Sequence, residues 1–255
     1  MNSSRRILIT GATSAIGGAL ALAYAAPGVE LHLHGRNEAR LAAISEMCAV
    51  LGASVVQQLL DVRDTGALRV WLEAISSQEA LDLVIINAGM NTNIGPAGAG
   101  EPWEQVDALL DVNLKASMAI VHAVLPAMRQ RGSGQIALIS SLAGYFGLPV
   151  TPSYCASKAG LKAYGEALRG WLGPEGVRVN VIMPGYVASP MCEAMPGPKP
   201  FVWLPERAAR AIRRGLEKDK ARISFPFPLN LGTWFLAALP AALSLRIVSL
   251  IGYRR

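Results

Sequence analysis

Cysteine, histidine and charged residues are all scarce in this sequence. Of its 255 residues, 3 are cysteine and 3 are histidine, and Asp, Glu, Lys and Arg together make up 16%. Cys48, Cys155 and Cys192 are far apart and form no CxxC pair, so they indicate reduced thiols rather than a disulfide framework. His32 and His34 alternate along one apolar run without a third ligand nearby, so we expect no metal site.

The sequence also lacks a secretion signal and a nucleic-acid-binding motif. Residues 1–6 alone precede the first apolar run, which leaves no room for the apolar region of a signal peptide, and we expect a cytoplasmic protein. The 24 basic and 18 acidic residues give a net charge of +6. That charge suits an anionic surface or a phosphorylated small molecule, and we expect no nucleic-acid partner.

Short apolar runs alternate with longer helical patterns along most of the chain. The predicted strands are 7–10, 30–34, 54–60, 83–86, 135–140, 177–183 and 222–225. The predicted helices are 15–26, 38–51, 64–77, 103–131, 154–172 and 205–218. This alternation predicts one doubly wound α/β domain over residues 1–225, with a mostly parallel seven-stranded sheet flanked by helices.

A glycine-rich turn at residues 10–17 joins the first predicted strand to the first helix. Gly11 allows a tight turn, and Gly17 lets the helix pack close to the sheet. The N-terminus of that helix offers free N–H groups and a positive dipole end to a pyrophosphate. Ordinary tight turns show similar patterns, so the turn alone is a weak signal. The candidate phosphate-binding residues are Gly11, Thr13, Ser14, Ala15, Ile16 and Gly17.

No carboxylate follows the second predicted strand. Gly35 stands where an NAD-binding protein generally has an acid for the ribose 2′-hydroxyl, and Arg36 comes next. A guanidinium can pair a 2′-phosphate through two charge-assisted hydrogen bonds. Arg36 therefore favours NADP(H) over NAD(H), which stays open as the alternative, as does a solvated surface role for Arg36.

A tyrosine and a lysine lie one helical turn apart in Tyr154-Cys155-Ala156-Ser157-Lys158. An ammonium group near a phenol lowers the phenol's pKa from its usual value near 10, as a base working at neutral pH requires. Ser141 follows the preceding strand at the same edge of the sheet. Asn113 lies within predicted helix 103–131, where its amide could bind a backbone carbonyl or hold a water.

Together these motifs resemble those of the short-chain dehydrogenase/reductase family over residues 5–225. The family's T-G-x-x-x-G-x-G turn matches residues 10–17, with Ala15 in place of the middle glycine. Its Asn-Asn-Ala-Gly matches residues 86–89 with Ile86 in the first place, and its Pro-Gly-x-Val-x-Thr matches residues 184–189 with Ser189 in the last. The resemblance implies a Rossmann fold and hydride transfer between NADP(H) and an alcohol or carbonyl carbon.

The resemblance also implies roles for particular residues. Tyr154 would act as general acid or base, Ser141 would hold the substrate oxygen, Lys158 would bind the nicotinamide ribose, and Asn113 would support a proton relay. Further cofactor-binding residues would be Asp61, Val62, Asn87, Ala88, Gly89, Pro184, Gly185, Val187 and Ser189. A catalytically weak nucleotide-binding regulator and an epimerase that uses the cofactor transiently are the alternative functions.

The substrate and the assembly are less defined. Loop 186–204 is expected to cover a small-molecule substrate, and its apolar residues Met191, Met195, Phe201 and Trp203 suggest an apolar, lipid-like one. The long helices 103–131 and 154–172 could pair across a two-fold axis, as in relatives, and give a homodimer or homotetramer.

Residues 226–255 form an apolar C-terminal extension. No charged residue occurs from 225 to 245, which is close to the length that spans a bilayer. Gly232 and Pro240 disfavour a plain spanning helix. We expect a helix pair that caps the pocket or packs in an oligomer interface, because long apolar stretches are more often core. A hairpin in the membrane interface, flanked by Arg246, Arg254 and Arg255, is the alternative.

Overall fold

The computed structural model describes residues 5–95 and 98–253, so Arg254 and Arg255 lie outside the described residues. The strands are β1 (Arg5–Ile9), β2 (Val29–Gly35), β3 (Ser54–Leu59), β4 (Leu83–Ile86), β5 (Gly134–Ile139), β6 (Val177–Pro184) and β7 (Arg222–Phe225). They form one seven-stranded sheet in the order β3-β2-β1-β4-β5-β6-β7. Every pairing is parallel, so the predicted doubly wound sheet is confirmed and has no antiparallel strand.

Helices cover both faces of the sheet. They are α1 (Ala15–Tyr24), α2 (Glu38–Val50), α3 (Thr65–Gln78), α4 (Trp103–Leu110), α5 (Ala116–Arg131), α6 (Pro152–Leu172), α7 (Pro190–Glu193), α8 (Pro205–Glu217), α9 (Leu229–Ala238) and α10 (Ala241–Leu250). One core cluster joins α1, α2 and α8 to the sheet, and a second joins α3, α5 and α6 to it. The order of the strands reverses between β1 and β4, because β2 and β3 lie on one side of β1 and β4 to β7 lie on the other. In such sheets ligands bind at this point of reversal, beyond the carboxyl ends of the strands.

The predicted long helical stretch 103–131 is confirmed, and a π turn interrupts its α-helical bonding at the centre. A π turn at Asp111–Lys115 separates α4 from α5, and there the N–H of Ala116 donates to the carbonyl of Asp111. A π turn holds one residue more than an α turn, and such turns are frequent at functional sites. Asn113 lies in the middle of this turn and is fully buried.

Among the described residues, Trp103–Arg131 is the one helical stretch long and apolar enough to cross a membrane. It packs inside the domain, where 56% of its most apolar window is buried. The C-terminal extension instead forms α9 and α10, of 10 residues each. Each is about 15 Å long, half of the roughly 30 Å of a bilayer core. The division of the chain at residue 225 stays a prediction.

Helix α6 reaches the sheet so closely that one of its glycines has no room for a side chain. A Cβ on Gly165 would lie 2.6 Å from Cγ2 of Val181 and 2.7 Å from Cδ1 of Leu138. On the exposed side of the same helix, a Cβ on Gly170 would meet nothing within 4 Å. The close approach matters for the site described below because α6 carries Tyr154 and Lys158.

We expect Gly165→Val to lower the free energy of unfolding by about 1–3 kcal/mol, because overpacking pushes α6 off the sheet. The matched control Gly170→Val should change it by less than ~0.5 kcal/mol, since valine and glycine differ little in helix propensity. Urea denaturation of both variants measures the difference. Equal stabilities would show that the glycine contact does not set the packing of α6.

Candidate active site

A cavity of about 600 Å³ runs along the carboxyl edge of the sheet. Of the predicted site residues, it is lined by Thr13, Ser14, Ala15, Ile16, Asn87, Gly89, Ser141, Tyr154, Lys158, Pro184, Gly185, Val187 and Ser189. The predicted residues that do not line it are Gly11, Gly17, Arg36, Asp61, Val62, Ala88 and Asn113. The predicted phosphate loop and the predicted tyrosine–lysine pair therefore face the same space.

Tyr154 and Ser141 meet in this cavity. Burial raises the pKa of Tyr154 to about 12, and a hydrogen bond from Ser141 offsets only part of that effect. The Oγ of Ser141 also accepts from the N–H of Ala143, at 3.1 Å. This second bond fixes the serine hydroxyl at the end of β5, beside the phenol. In this arrangement Tyr154 is a protonated phenol at neutral pH and can donate a proton to an oxygen placed between the two hydroxyls.

Lys158 is almost completely buried one helical turn from Tyr154. Its Nζ donates to the carbonyl of Ile139, at 2.9 Å, and lies 5.7 Å from the centre of the Tyr154 ring. Burial lowers the pKa of Lys158 to about 8. The expectation that Lys158 lowers the pKa of Tyr154 is not met in this structure, because burial of the phenol dominates and the ammonium group is directed at the Ile139 carbonyl.

Asn113 connects three elements through its amide. The side-chain NH₂ donates to the carbonyl of Met90, at 2.9 Å, and to Oγ of Ser157, at 3.0 Å. Its Oδ1 accepts from the N–H of Met90, also at 2.9 Å. A Cβ on Gly89 would lie 3.2 Å from that oxygen and 3.5 Å from Nζ of Lys158. Asn113 thus holds the chain after β4 against α6. Of the two roles expected for its amide, the structure shows the binding of a backbone carbonyl.

The glycine-rich turn has the geometry of an anion cradle. Gly11 has a φ of +66°, and a Cβ on Gly17 would lie 2.2 Å from the carbonyl oxygen of Gly11. Ser14 caps α1 by accepting from the N–H of Gly17 at 3.1 Å. Asn87 ties the turn to β4 by donating to the carbonyls of Thr10 and Gly11, each at 3.0 Å.

These residues fit a dinucleotide phosphate. The N–H groups in the first turn of a helix have no acceptor within the helix, and α1 directs its first turn to the cavity wall formed by Thr13, Ser14, Ala15 and Ile16. The family's middle glycine is replaced here by Ala15, which is accommodated on that wall.

The region after β2 differs in part from the expected one. Arg36 is exposed, with its guanidinium 3.8 Å from the carboxylate of Asp61. Asp61 is bound more closely by Arg63, at 2.6 Å, and these hydrogen bonds lower the pKa of Asp61 to about 2. A Cβ on Gly35 would lie 2.5 Å from Cγ2 of Thr13, so a carboxylate at position 35 has no room.

Arg40 is a site residue that sequence reasoning missed. It lies in the first turn of α2, four residues after Arg36, and lines the cavity together with Thr13 and Ser14. Asn37 caps that helix by accepting from the N–H of Arg40 at 2.9 Å. The sequence feature that could have identified Arg40 is its position one helical turn after Arg36, at the N-terminus of the helix that follows β2.

The other end of the cavity is apolar and is lined by the C-terminal helix pair. Leu236 of α9 and Val248 of α10 line it, together with Phe146 and Leu148 from the loop before α6. That this helix pair caps the pocket stays a prediction. Behind it, the hydroxyl of Tyr253 donates to the carbonyl of Pro198, at 2.6 Å, and contacts the hydroxyl of Tyr186.

The loop over the cavity contributes fewer apolar residues than expected. Met191 and Met195 line the cavity as predicted. Trp203 stacks on Phe225 with the ring centres 4.8 Å apart, and Phe201 is 55% exposed. Neither Phe201 nor Trp203 lines the cavity. The backbone of Trp203 instead pairs with that of Tyr186 and Ala188.

Comparison with known proteins places this arrangement in a class. The model of the short chain dehydrogenase family matches residues 5–197. An uncharacterized oxidoreductase of Myxococcus xanthus is 36% identical over 240 residues, which cover 93% of this chain and 94% of that protein. A putative ketoacyl reductase of monensin polyketide synthesis in Streptomyces virginiae is 35% identical over 195 residues, 75% of this chain and 74% of that protein.

A solved structure agrees in fold. A short-chain dehydrogenase from Sphingobium yanoikuyae, solved in complex with NADPH, superposes with a TM-score of 0.81 at 24% identity and covers 95% of both chains. The protein is an NAD(P)-dependent oxidoreductase that acts on CH–OH or C=O groups. The chain belongs to the short-chain dehydrogenase family.

The buried ammonium group of Lys158 gives a prediction for stability against pH. Its folded pKa, about 8, lies below the unfolded value of 10.5, so the folded state penalises the charged form and stability rises with pH between these values. Lys158→Met removes the penalty. We expect the variant's stability relative to wild type to fall by about 2 kcal/mol from pH 7 to pH 9.5.

Urea denaturation at both pH values measures this change. The pKa of Tyr154 in the folded protein is about 12, so below pH 10 its titration affects the stability of wild type and of Lys158→Met equally. Lys162→Met, which removes a lysine of the same helix paired with Glu166 at 3.1 Å, is the control and should show no such trend. A constant difference between Lys158→Met and wild type would contradict the lowered pKa.

Proposed function

We propose that the protein is an NADP(H)-dependent reductase, or dehydrogenase in the reverse direction, of an apolar, lipid-like carbonyl or alcohol. The observation that carries this proposal is the cavity itself. It places the hydroxyls of Ser141 and Tyr154 at one end and leads from them to a wall of apolar side chains from α9 and α10. A substrate held there would present one polar carbon–oxygen group to the hydroxyls and an apolar chain to the helix pair.

The polarity of the cavity supports the substrate class. Its distal part is formed by Phe146, Leu148, Leu236, Ile247 and Val248, which offer no hydrogen-bonding side-chain atoms. Burying one CH₂ group against such a wall contributes about 0.8 kcal/mol. The similarity to a putative ketoacyl reductase points to the same chemistry, reduction of a keto group on an acyl chain.

The chain's own groups account for the proton transfer. NADPH, when bound, supplies the hydride. Tyr154 donates its phenolic proton to the oxygen of the carbonyl as negative charge develops on it. Ser141 donates a hydrogen bond to the same oxygen, which stabilises the charge in a site shielded from water. Lys158 would hold the nicotinamide ribose, and Asn113 would position Lys158 and the chain after β4.

Two arginines support the preference for NADP(H). Arg36 and Arg40 both lie just beyond β2, near the edge of the phosphate loop, and Gly35 leaves no room for the acid that binds a ribose 2′-hydroxyl. Because Asp61 already binds Arg63, its carboxylate neutralises Arg36 only weakly. Thr13, Ser14, Ala15 and Ile16 would hold the pyrophosphate, while Asn87 and Gly89 would flank the adenosine ribose.

A weak nucleotide-binding regulator would need neither the paired hydroxyls nor the long apolar cavity, and an epimerase would consume no net cofactor.

For the assembly, the homodimer or homotetramer predicted from the sequence stays part of this proposal, with cytoplasmic location.

The test of the proposed function is a series of methyl ketones of increasing chain length with NADPH. We expect kcat/KM to rise about three- to fourfold per added CH₂ until the cavity is filled. Absorbance at the NADPH band measures turnover. Rates that do not depend on chain length would contradict the apolar subsite, and a lack of net NADPH consumption would favour the epimerase.

Tyr154→Phe tests the proton donor in the same assay. We expect the variant to lose nearly all turnover, about 100-fold or more, while calorimetry still detects bound NADPH, because the phenol acts only on the reacting oxygen. Tyr164→Phe, on the same helix, is the matched control. Retention of more than a few per cent of the activity in Tyr154→Phe would remove the tyrosine from the mechanism.

The cofactor preference has its own prediction. Arg36→Ala and Arg40→Ala should each weaken NADPH binding about tenfold or more and leave NADH binding nearly unchanged, because each removes a charge-assisted hydrogen bond to the 2′-phosphate. Titration calorimetry with both cofactors measures this. Arg69→Ala, another exposed arginine, is the control. Equal losses for NADPH and NADH would show that the arginines do not read the 2′-phosphate.

A further inference from the structure

The outward face of the C-terminal helix pair is apolar and exposed. We use the name apolar stripe for the large apolar residues of α9, α10 and the position after α10 that are between 46% and 75% exposed: Leu231, Trp234, Phe235, Leu243, Leu245, Leu250 and Ile251. On α9 the first three are spaced as i, i+3 and i+4, so they share one side of the helix. The opposite side packs inward through Leu229 and Leu236.

The apolar stripe lies at the entrance of the active-site cavity. Phe235 and Ile251 each line the cavity and are also more than half exposed, so they stand where it opens to the outside. Whatever covers the stripe would therefore meet the opening through which a substrate passes.

The one charged residue in the sequence segment that carries the stripe is basic. From residue 223 to residue 253 the sequence contains no Asp or Glu, and its one charged residue is Arg246. Arg246 follows Leu243 by three residues and precedes Leu250 by four, so it projects from the apolar side of α10. An arginine within such a face can bury its stem in lipid and reach its guanidinium to a phosphate.

A small basic pocket adjoins the other helix. It has a volume of about 280 Å³ and is lined by Trp234, Lys162 and Arg222, among others. Lys162 and Arg222 both pair with the carboxylate of Glu166, which leaves one positive charge in excess. The half-exposed indole of Trp234 thus belongs to the apolar stripe and also borders the basic pocket. Tryptophan prefers such a position, between an apolar and a charged region, at a membrane–water interface.

We propose that the apolar stripe docks on an anionic lipid membrane surface, with Arg246 and the Lys162–Arg222 pocket contacting lipid phosphates. A second copy of the chain fits less well, because a two-fold contact through the stripe would bring Arg246 close to its own counterpart with no carboxylate in residues 223–253 to pair with it. The docked enzyme would exchange apolar substrate directly with the lipid through its cavity entrance.

Co-sedimentation of the full chain with vesicles tests the proposal. Wild type should bind vesicles of phosphatidylcholine mixed with phosphatidylglycerol more tightly than phosphatidylcholine alone. The double variant Trp234→Ser/Leu250→Ser should lose at least about tenfold in partitioning to both, since it removes buried apolar area. Arg246→Glu should lose about tenfold on the anionic vesicles and little on the neutral ones.

The matched control is Trp171→Ser/Val50→Ser, because these two side chains are exposed by 54% and 82% elsewhere on the surface. It should bind vesicles like wild type. NADPH binding and turnover of a short, water-soluble ketone should be the same in all variants, which separates this proposal from the proposed reaction. Wild type that stays in the supernatant, or a control that loses as much as the stripe variant, would overturn the proposal. A dimer that only the stripe variant dissociates, without vesicle binding, would assign the stripe to a second copy instead.

Discussion

The buried ammonium group of Lys158 is the constraint on which the rest of the site depends. A charge removed from water needs acceptors nearby, and the Ile139 carbonyl at the end of β5 supplies one at 2.9 Å. The backbone of Lys158 is fixed as well, because its carbonyl accepts from Oγ of Ser140 at 2.7 Å. These two bonds fasten α6 to the end of β5 in one register. Tyr154, one turn earlier on the helix, is thereby brought to Ser141, which follows the same strand.

The sequence was sufficient for the parts of the fold that periodicity determines. The strands and the Tyr154–Lys158 pair follow from alternation and spacing, and the strand ends collect them because parallel strands share one carboxyl edge. The π turn could not be predicted in this way. Leu110 and Leu114 continue an apolar pattern across it, and an added residue in one turn leaves that pattern almost unchanged. The backbone bond from the N–H of Ala116 to the carbonyl of Asp111 defines it, and it is accompanied by the hydrogen bonds of Asn113 to Met90, 23 residues away in sequence.

The C-terminal extension shows a different limit. An apolar run has the same composition whether its partner is protein or lipid. The sequence of residues 226–255 therefore could not distinguish a cap from an oligomer interface or a membrane contact. In the structure, the two faces of the helix pair differ in what they contact. Leu236 and Val248 face the cavity while Leu231 and Leu250 face outward. The contact of Tyr253 with Tyr186 joins residues 67 positions apart and leaves no local pattern to read.

Under the proposed function, the two directions of the reaction begin from opposite protonation states of Tyr154, and the surroundings of the phenol act on both states. Burial raises the pKa of the phenol to about 12 and lowers that of Lys158 to about 8, so the site disfavours charge of either sign. A neutral phenol is the state that donates a proton to a carbonyl oxygen. Donation of that proton leaves a phenolate, from which oxidation of an alcohol begins, and its charge would need a cation closer than the ammonium group directed at Ile139. Low polarity also strengthens the hydrogen bond of Ser141 to a developing alkoxide. Under the proposed function, both directions would therefore require the Lys158 ammonium to turn from the strand end toward the phenol when the phenolate forms.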